Sequence, residues 1–329
     1  MELWSRSRSS TWTQAFTEDT DVRRKTNTGG RNNEVLLMKL KQLIEKLDII
    51  SMTADPETEI SGICHDSREA VPGSLFVAIA GFESDGHRFI PAAVKNGAAA
   101  ILCQTPPEDG TPYILVADTR RALAAVSRAF YGYPDEKMTM IAVTGTNGKT
   151  TSTMLIKHLL EDRGAKVGLI GTNCNMIGAE EIPTERTTPE SCDLHRLFRQ
   201  MLDAGCTHVV MEVSSHSLIL SRVEGIRFAV GVFTNLTQDH LDYHGTMEEY
   251  ARAKSLLFSH TRPDGTSCFS VNQDMAAENI AIGSTNAVEV MKMWMASTEQ
   301  RENILKKDIH SIGIGCFFVN GSYMWTQLF

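Results

Sequence analysis

The run Gly145-Thr146-Asn147-Gly148-Lys149-Thr150-Thr151 gathers residue types that hold a polyphosphate. Glycines let a backbone approach phosphate oxygens, and the free N–H groups that open a helix favour an anion. Lys149 is placed to neutralise β- and γ-phosphates, and the Thr150 hydroxyl is of the kind that binds Mg²⁺. The usual loop has the form G-x-x-x-x-G-K-[ST]. Here Gly145 stands only three residues before Gly148, and Val143 occupies the expected first-glycine position. A bare glycine turn with a solvated lysine is the alternative. The β-type run before the loop and the helical pattern after it favour the phosphate site, so ATP is the expected ligand.

Two further clusters sit where they could serve that site. Glu212 ends the apolar run of "HVVMEV". An acid there either emerges into solvent or binds Mg²⁺ beside the loop threonine, and the loop in the same sheet favours the metal. Asp239, His240, Asp242 and His244 follow the strand-like "FAVGVFTN". His240 and His244 have an H-x-x-x-H spacing, but zinc-binding helices of that kind carry Glu after the first His, and here Leu241 follows. A single histidine, His240, beside a Mg²⁺-triphosphate is the better reading, with His244 structural. Lys254 follows an acidic first helical turn; spacing alone reads it as a solvated lysine.

These residues need elements to carry them. Residues 139–272 alternate apolar strands ("MIAVTG", "KVGLIGT", "THVVMEV", "FAVGVFTN", "SCFSVN") with helical patterns. That alternation predicts a parallel sheet covered on both faces, with ligands at the strands' carboxyl ends. Residues 60–135 alternate on a smaller scale: strand "GSLFVAIAG", a helix stopped near Asn96-Gly97, then strand, turn and helix in "YILVADTRRALAAVSRAFYG". The expected class is therefore α/β, with a small N-terminal domain (38–135) and a central ATP-binding domain (136–283), joined by a linker at Tyr133–Met138. Residues 1–37 are polar, aperiodic and rich in Ser, Thr and Arg, which predicts disorder and a native start at Met38. Residues 284–329 suggest an irregular tail with one helix and one short strand.

Composition bounds the rest. A net charge of −8 implies no nucleic-acid binding, and no apolar run is long enough to span a membrane. Seven scattered cysteines without a C-x-x-C pair read as reduced thiols, hence a cytoplasmic protein.

At four blocks the chain resembles the Mur ligase family: "DSREAVPGSLFVAIAGFESDGHRFI", "GTNGKTT", "MEVSSHSL" and "TNLTQDHLDYHGTMEEYARAKSLLF". The tripeptide-synthetase branch, the MurE type, is the nearest in pattern, and the shortened phosphate loop is typical of the superfamily. The resemblance implies an ATP-dependent ligase of peptidoglycan synthesis, a monomer with Mg²⁺ and ATP. It would join a diamino acid to UDP-MurNAc-L-Ala-D-Glu through an acyl phosphate. It implies that residues 145–151 hold ATP, that Lys149, a carbamylated Lys254 and His240 are catalytic, and that Thr150, Glu212, His240 and Lys254 serve the metal. It further implies that Ser67 contacts the UDP moiety, and that Thr187, Thr188, Ser214 and Arg222 contact the muramoyl-dipeptide.

Departures accompany the likeness. Arg186 stands where the family usually has Asn, and Leu220 where it usually has Gln; each removes a polar contact of about 1 kcal/mol. The resemblance fades near Gly283, and the family's third domain, which binds the incoming amino acid, has no counterpart motif here. A truncated chain that binds UDP-MurNAc-dipeptide and ATP without turnover is thus the competing expectation. Folylpolyglutamate synthetase, a relative with the same loop, is disfavoured by the "DSR…PGSLFVAIAG…DGH" front block.

Overall fold

The computed structural model describes residues 36–81, 84–269, 278–282, 287–304, 313–319 and 322–328. The expected disorder of the N-terminal extension concerns residues that, up to 35, lie outside that set. In the first part, strands β1 (Met38–Lys39), β2 (Ile49–Met52), β3 (Glu59–Ile60), β4 (Gly62–Cys64), β5 (Ser74–Val77), β6 (Ala100–Cys103) and β7 (Tyr113–Val116) alternate with helices α1 (Leu40–Ile44), α2 (Ile90–Lys95) and α3 (Thr119–Phe130). Five of the strands form a sheet in the order β2-β7-β6-β5-β4, parallel except for β2. Successive side chains of a strand point to opposite faces. Leu75 and Val77 therefore pack with Leu40, Leu43, Leu123 and Val126 on one side. Phe76 packs with Ile90, Ala93 and Ile101 on the other. Both faces are apolar because both are covered.

The second part begins with β8 (Thr139–Thr144), α4 (Lys149–Glu161), β9 (Val167–Ile170), β10 (Asn175–Ile177), β11 (Glu180–Ile182), α5 (Ser191–Asp203) and β12 (His208–Glu212). It continues with α6 (Ser215–Ile219), β13 (Phe228–Phe233), α7 (Leu241–His244), α8 (Met247–Ser259) and β14 (Thr261–Phe269). Its seven-stranded sheet has the order β11-β10-β9-β12-β8-β13-β14. The five strands expected from sequence supply its parallel core, the last of them starting earlier than expected, at Thr261, with residues 270–272 of the expected run outside the described residues. The antiparallel β10–β11 hairpin at the edge was not expected. Its strands are three residues each, too short for periodicity to register. Alternation again sorts the core: Met140 and Ala142 meet Leu194 and Phe198 of α5, while Ile141 meets Leu160 of α4.

The segment read as a linker is a folded joint. Pro134–Lys137 is a 3₁₀ turn, and buried Asp135 accepts from Arg128 Nη2 of α3 at 2.7 Å. The last described elements also exceed the single helix and strand expected. Strands β15 (Glu278–Ile282), β16 (Gly313–Val319) and β17 (Ser322–Leu328) form an antiparallel sheet in the order β15-β17-β16. Between them lie α9 (Ala287–Ala296) and α10 (Thr298–Ile304), with Val290 and Trp294, one turn apart on α9, buried together.

Candidate active site at the carboxyl ends of the large sheet

The loop from Gly145 to Gly148 joins β8 to α4 at the carboxyl edge of the sheet. Gly145 has φ +141, and a Cβ there would lie 2.0 Å from Thr234 Oγ1. Gly148 caps α4 in the left-handed region, at φ +78. Both positions thus require glycine for backbone reasons. The segment after β13 clasps the loop: Asn147 N donates to Asn235 Oδ1 at 2.9 Å, Thr234 Oγ1 donates to the Asn147 carbonyl at 2.6 Å, and Thr146 Oγ1 donates to the Thr237 carbonyl at 3.1 Å. Sequence reasoning did not pick out Thr234, Asn235 or Thr237. They carry no charge, and although they open the block "TNLTQDH" no role was assigned to them; the adjacency of β13 to β8 brings them to the loop.

Two lysines converge on one carbonyl. Lys149 Nζ donates to Gly145 O at 2.9 Å and to Thr146 O at 2.8 Å. Lys254, from the middle of α8, donates to the same Gly145 O at 2.8 Å. Its ammonium also stands 4.5 Å above the Tyr250 ring. Lys254 is only 2% exposed, so it is not the solvated helical lysine that spacing alone suggested. Burial, then the neighbouring Lys149 charge, pushes its pKa down to about 7, with Asp239 opposing. Lys149 is likewise lowered, chiefly by burial, against the pull of Glu212 and Asp239. Thr150 is half-buried on the first turn of α4, and Thr151 beside it is exposed.

Glu212 is completely buried at the end of β12. Its carboxylate accepts from Thr172 N at 3.1 Å and from Thr172 Oγ1 at 3.0 Å. Thr172 follows β9, the strand beside β12, and its hydroxyl also lies 3.0 Å from Thr187 Oγ1. Thr188 Oγ1 donates to the Glu212 carbonyl at 2.9 Å and accepts from Ser214 N at 3.2 Å. The sequence candidates Thr187, Thr188, Ser214 and Glu212 are therefore linked into one hydrogen-bonded chain. Thr172 is the missed member, one threonine among many until the sheet pairs β9 with β12. Ser214 also caps α6, accepting from Ser217 N.

His240 has φ +50 and opens α7, half-exposed, with its ring 5.1 Å from His216 and 6.2 Å from Tyr250. His244 is buried and pairs with Ser215 Oγ at 2.9 Å, which suits a structural role. The groups that could serve a divalent cation here are the buried carboxylate of Glu212, the Thr150 hydroxyl and the His240 imidazole; Lys254, as an ammonium donating to Gly145 O, has no lone pair to offer. Oxygen donors suit Mg²⁺, and the carboxylate Glu212 acts electrostatically on Lys149, so these groups fit a Mg²⁺–phosphate ligand.

A second concavity lies at the junction with the first part. It is a cavity of about 600 Å³ lined by Ser67, Arg68, Phe89, Arg120, Arg186 and Glu190, among others. Ser67 lies in the Ser67–Glu69 turn capped by Asp66. Arg222 meets the lining residue Glu190, its Nη2 lying 2.7 Å from Glu190 Oε1, and its Nη1 donates to the Thr188 carbonyl at 3.0 Å. Ser67 lines this cavity directly, whereas Arg222 joins it through Glu190 and is also tied, through Thr188, to the hydrogen-bonded chain of Glu212.

The described fold can now be placed among known proteins. Residues 143–319 match the pattern described as "Mur ligase middle domain", and residues 59–131 match "Mur ligase family, catalytic domain". The chain belongs to the Mur ligase family. The first of these matches runs past Gly283, where the sequence resemblance fades. A protein of Chlorobium phaeobacteroides named UDP-N-acetylmuramoyl-L-alanyl-D-glutamate–2,6-diaminopimelate ligase is 46% identical over 250 residues, 74% of this chain and 49% of that protein. A protein of the same name from Chlorobaculum tepidum is 51% identical over 220 residues, 66% of this chain and 43% of that one. The chain spans about half the length of the curated relatives it matches. A solved ligase of that name superposes with a TM-score of 0.62 at 23% identity, covering 87% of this chain and 70% of its own. A MurF structure from Acinetobacter baumannii does so at 0.54 and 20%, covering 88% and 60%. These superpositions agree on the α/β fold. Among the described residues, no helix is long and apolar enough to cross a membrane.

Proposed function

We propose that this Mur ligase chain carries the nucleotide and UDP-substrate sites of an ATP-dependent ligase that adds 2,6-diaminopimelate to UDP-MurNAc-L-Ala-D-Glu. The reading divides the chain into a UDP-substrate domain at 38–135 and an ATP-binding domain at 136–283. It makes the protein a cytoplasmic monomer of peptidoglycan synthesis. The observation that carries it is the convergence of Lys149 and Lys254 on Gly145 O, with Glu212 near enough to act on Lys149.

The chemistry requires two anions to meet, the peptide carboxylate and the γ-phosphate of ATP. Residues 145–151 cradle the phosphates, and Lys149 leaves its carbonyls to offset their charge. Thr150, Glu212 and His240, with Lys254 once carbamylated, would hold Mg²⁺, which when bound screens the phosphate oxygens. The carboxylate oxygen attacks the γ-phosphorus and ADP departs, leaving an acyl phosphate. The amine of the diamino acid then attacks the acyl carbon, phosphate leaves and the amine's proton is lost. Thr187, Thr188, Ser214 and Arg222 orient the dipeptide end, and Ser67 the UDP end. The low pKa of Lys254 keeps a large share of its amine neutral near pH 7. A neutral amine can add to CO₂, its lone pair forming the N–C bond as a proton leaves. The product is the carbamate that the family resemblance implies, an anion in place of a cation.

A phosphate-release assay with UDP-MurNAc-L-Ala-D-Glu, ATP and either 2,6-diaminopimelate or L-lysine tests the whole reading. Release that needs diaminopimelate is the expected outcome; release with lysine alone would reassign the amine. Titration calorimetry with ATP and with the UDP-substrate tests the binding sites apart from turnover. No heat from either ligand at millimolar concentration would refute the site assignments.

A further inference from the structure

The junction cavity has a charge imbalance that no assigned residue explains. Glu190, just ahead of α5 and largely buried, is the one carboxylate shared by three guanidiniums. Arg222 Nη2 lies 2.7 Å and Arg186 Nη1 2.9 Å from its Oε1, and Arg120 Nη1 lies 3.7 Å from its Oε2. Three positive charges against one negative leave an excess of two. The acid and base across the cavity, Asp66 and Arg68, pair with each other and do not offset it. Two of the donors are buried with no hydrogen-bond partner: Arg120 Nη1 and Arg222 Nε. Burial, with Arg186 and Arg120 adding to it against Glu190, lowers the pKa of Arg222, as an under-compensated cation requires. Guanidiniums do not escape such a setting by losing their protons.

From this cluster we infer that Arg120 and Arg186 are further substrate-positioning residues, completing with Arg222 a cradle for the doubly charged anionic part of the UDP-muramoyl-peptide. The inference rests on the proposed ligase reading and adds two residues to it. Arg120 is delivered by the first part of the chain. Asp118 caps α3 by accepting from Arg120 N and Arg121 N, which fixes the first turn of that helix against the cavity. A substrate held by Arg120 and Arg222 together is thus bound across both parts of the chain. Arg186 stands where the family usually has Asn. The sequence suggested a lost contact there; the side chain instead lines the cavity and is aimed by Glu190 four residues on. The exchange replaces a neutral hydrogen bond with a cation. Two anionic groups could fill the cradle, the diphosphate or the peptide carboxylates.

Calorimetric titration of the full chain with UDP-MurNAc-L-Ala-D-Glu tests this. Arg120→Met should weaken binding by about 10- to 100-fold and Arg186→Asn by about 3- to 10-fold, since charge-assisted contacts to an anion are lost. Both variants should flatten the salt dependence of the dissociation constant, which a merely structural role would not do. Arg120→Lys should recover part of the affinity, and it keeps the test open if the methionine variant folds poorly. Parallel titrations with UDP and with nucleotide-free MurNAc-L-Ala-D-Glu say which group is held: an Arg120 effect on UDP names the diphosphate, one on the peptide names the carboxylates. Binding within twofold of wild type, with unchanged salt dependence in both variants, overturns the cradle. Absence of binding by the wild-type chain overturns the ligase reading, and the cradle with it.

Discussion

The phosphate loop and the junction cavity both concentrate positive charge in partly buried places, but they stabilise it by different means. At the loop the cations are ammoniums, and their partners at hydrogen-bond distance are main-chain carbonyls of Gly145 and Thr146. At the junction they are guanidiniums converging on the carboxylate of Glu190. An ammonium in such a site can lose its proton, and Lys254 is pushed to about 7 by burial and by Lys149. A guanidinium cannot, so charge there is permanent and needs a counter-anion. The loop is consequently the place where charge can change near neutral pH. The junction is the place where it must be matched by what binds.

The comparison breaks most sharply at Gly145. Its φ of +141 and the 2.0 Å approach of a Cβ to Thr234 Oγ1 leave alanine no position without moving the clasp. Gly145→Ala should abolish ATP binding and cost about 2–4 kcal/mol of stability, while UDP-substrate binding at the junction persists in whatever fraction stays folded. Scanning calorimetry with ligand titration reads both. Wild-type ATP affinity in this variant would mean that the loop is not the nucleotide site.

The second effect is a pH dependence belonging to the loop alone. Lys254 has its pKa lowered from 10.5 to about 7, so between those values the unfolded chain binds the proton more tightly. Stability therefore rises as pH climbs from about 7 to 10.5, and the burial cost is fully present below about 7. Lys254→Met removes that slope. In CO₂-free buffer it should be more stable than wild type at pH 6.5, by on the order of a few kcal/mol, and the gap should close by pH 10. Urea unfolding at the two pH values measures it; parallel curves for the two proteins would contradict a buried, titrating Lys254.

A smaller change probes the link that runs from loop to substrate residues. Thr172→Val keeps the shape and the backbone N–H on Glu212 but removes the hydroxyl that joins Glu212 to Thr187. Leaving part of a buried carboxylate unpaired should cost about 1–3 kcal/mol. Equilibrium unfolding checks that figure. No loss at all would mean that another donor satisfies Glu212.

Much of this was readable in the sequence because it rests on local pattern. The parallel core strands announce themselves as apolar runs, and the loop by its glycines and Lys-Thr-Thr. Glu212 stands out as an acid where a buried strand should have none. What was not readable depends on which strands become neighbours. Thr172 matters only because β9 pairs with β12, and Thr234, Asn235 and Thr237 only because β13 pairs with β8. Lys254 is the clearest case. Its helix spacing suggested solvent, and only packing of α8 against the loop turns it inward. Glu190 likewise has no local mark; its importance comes from Arg120, seventy residues earlier in the chain and brought to it by the docking of α3 on α5.

The smallest expected effect tests whether every buried polar group at the junction serves the ligand. His195 of α5 is wholly buried, and neither ring nitrogen has a hydrogen-bond partner. Its nearest acid is Asp135, at 3.9 Å and already taken by Arg128. Burial, aided by the Arg128 charge, pushes the imidazole down to about 3. The native ring therefore stays neutral while the unfolded chain takes up a proton below about 6.5, so stability is lost as pH falls toward 3. Leucine has neither the unpaired nitrogens nor the titration. His195→Leu should be neutral to about 1 kcal/mol more stable at pH 8, and its advantage should widen at pH 4.5. Affinity for the UDP-substrate should not move, because His195 faces Phe198 and the core rather than the cavity. Weaker substrate binding in this variant would extend the cradle's electrostatic reach through Asp135 and Arg128. Unchanged binding confines it to the arginines that touch Glu190.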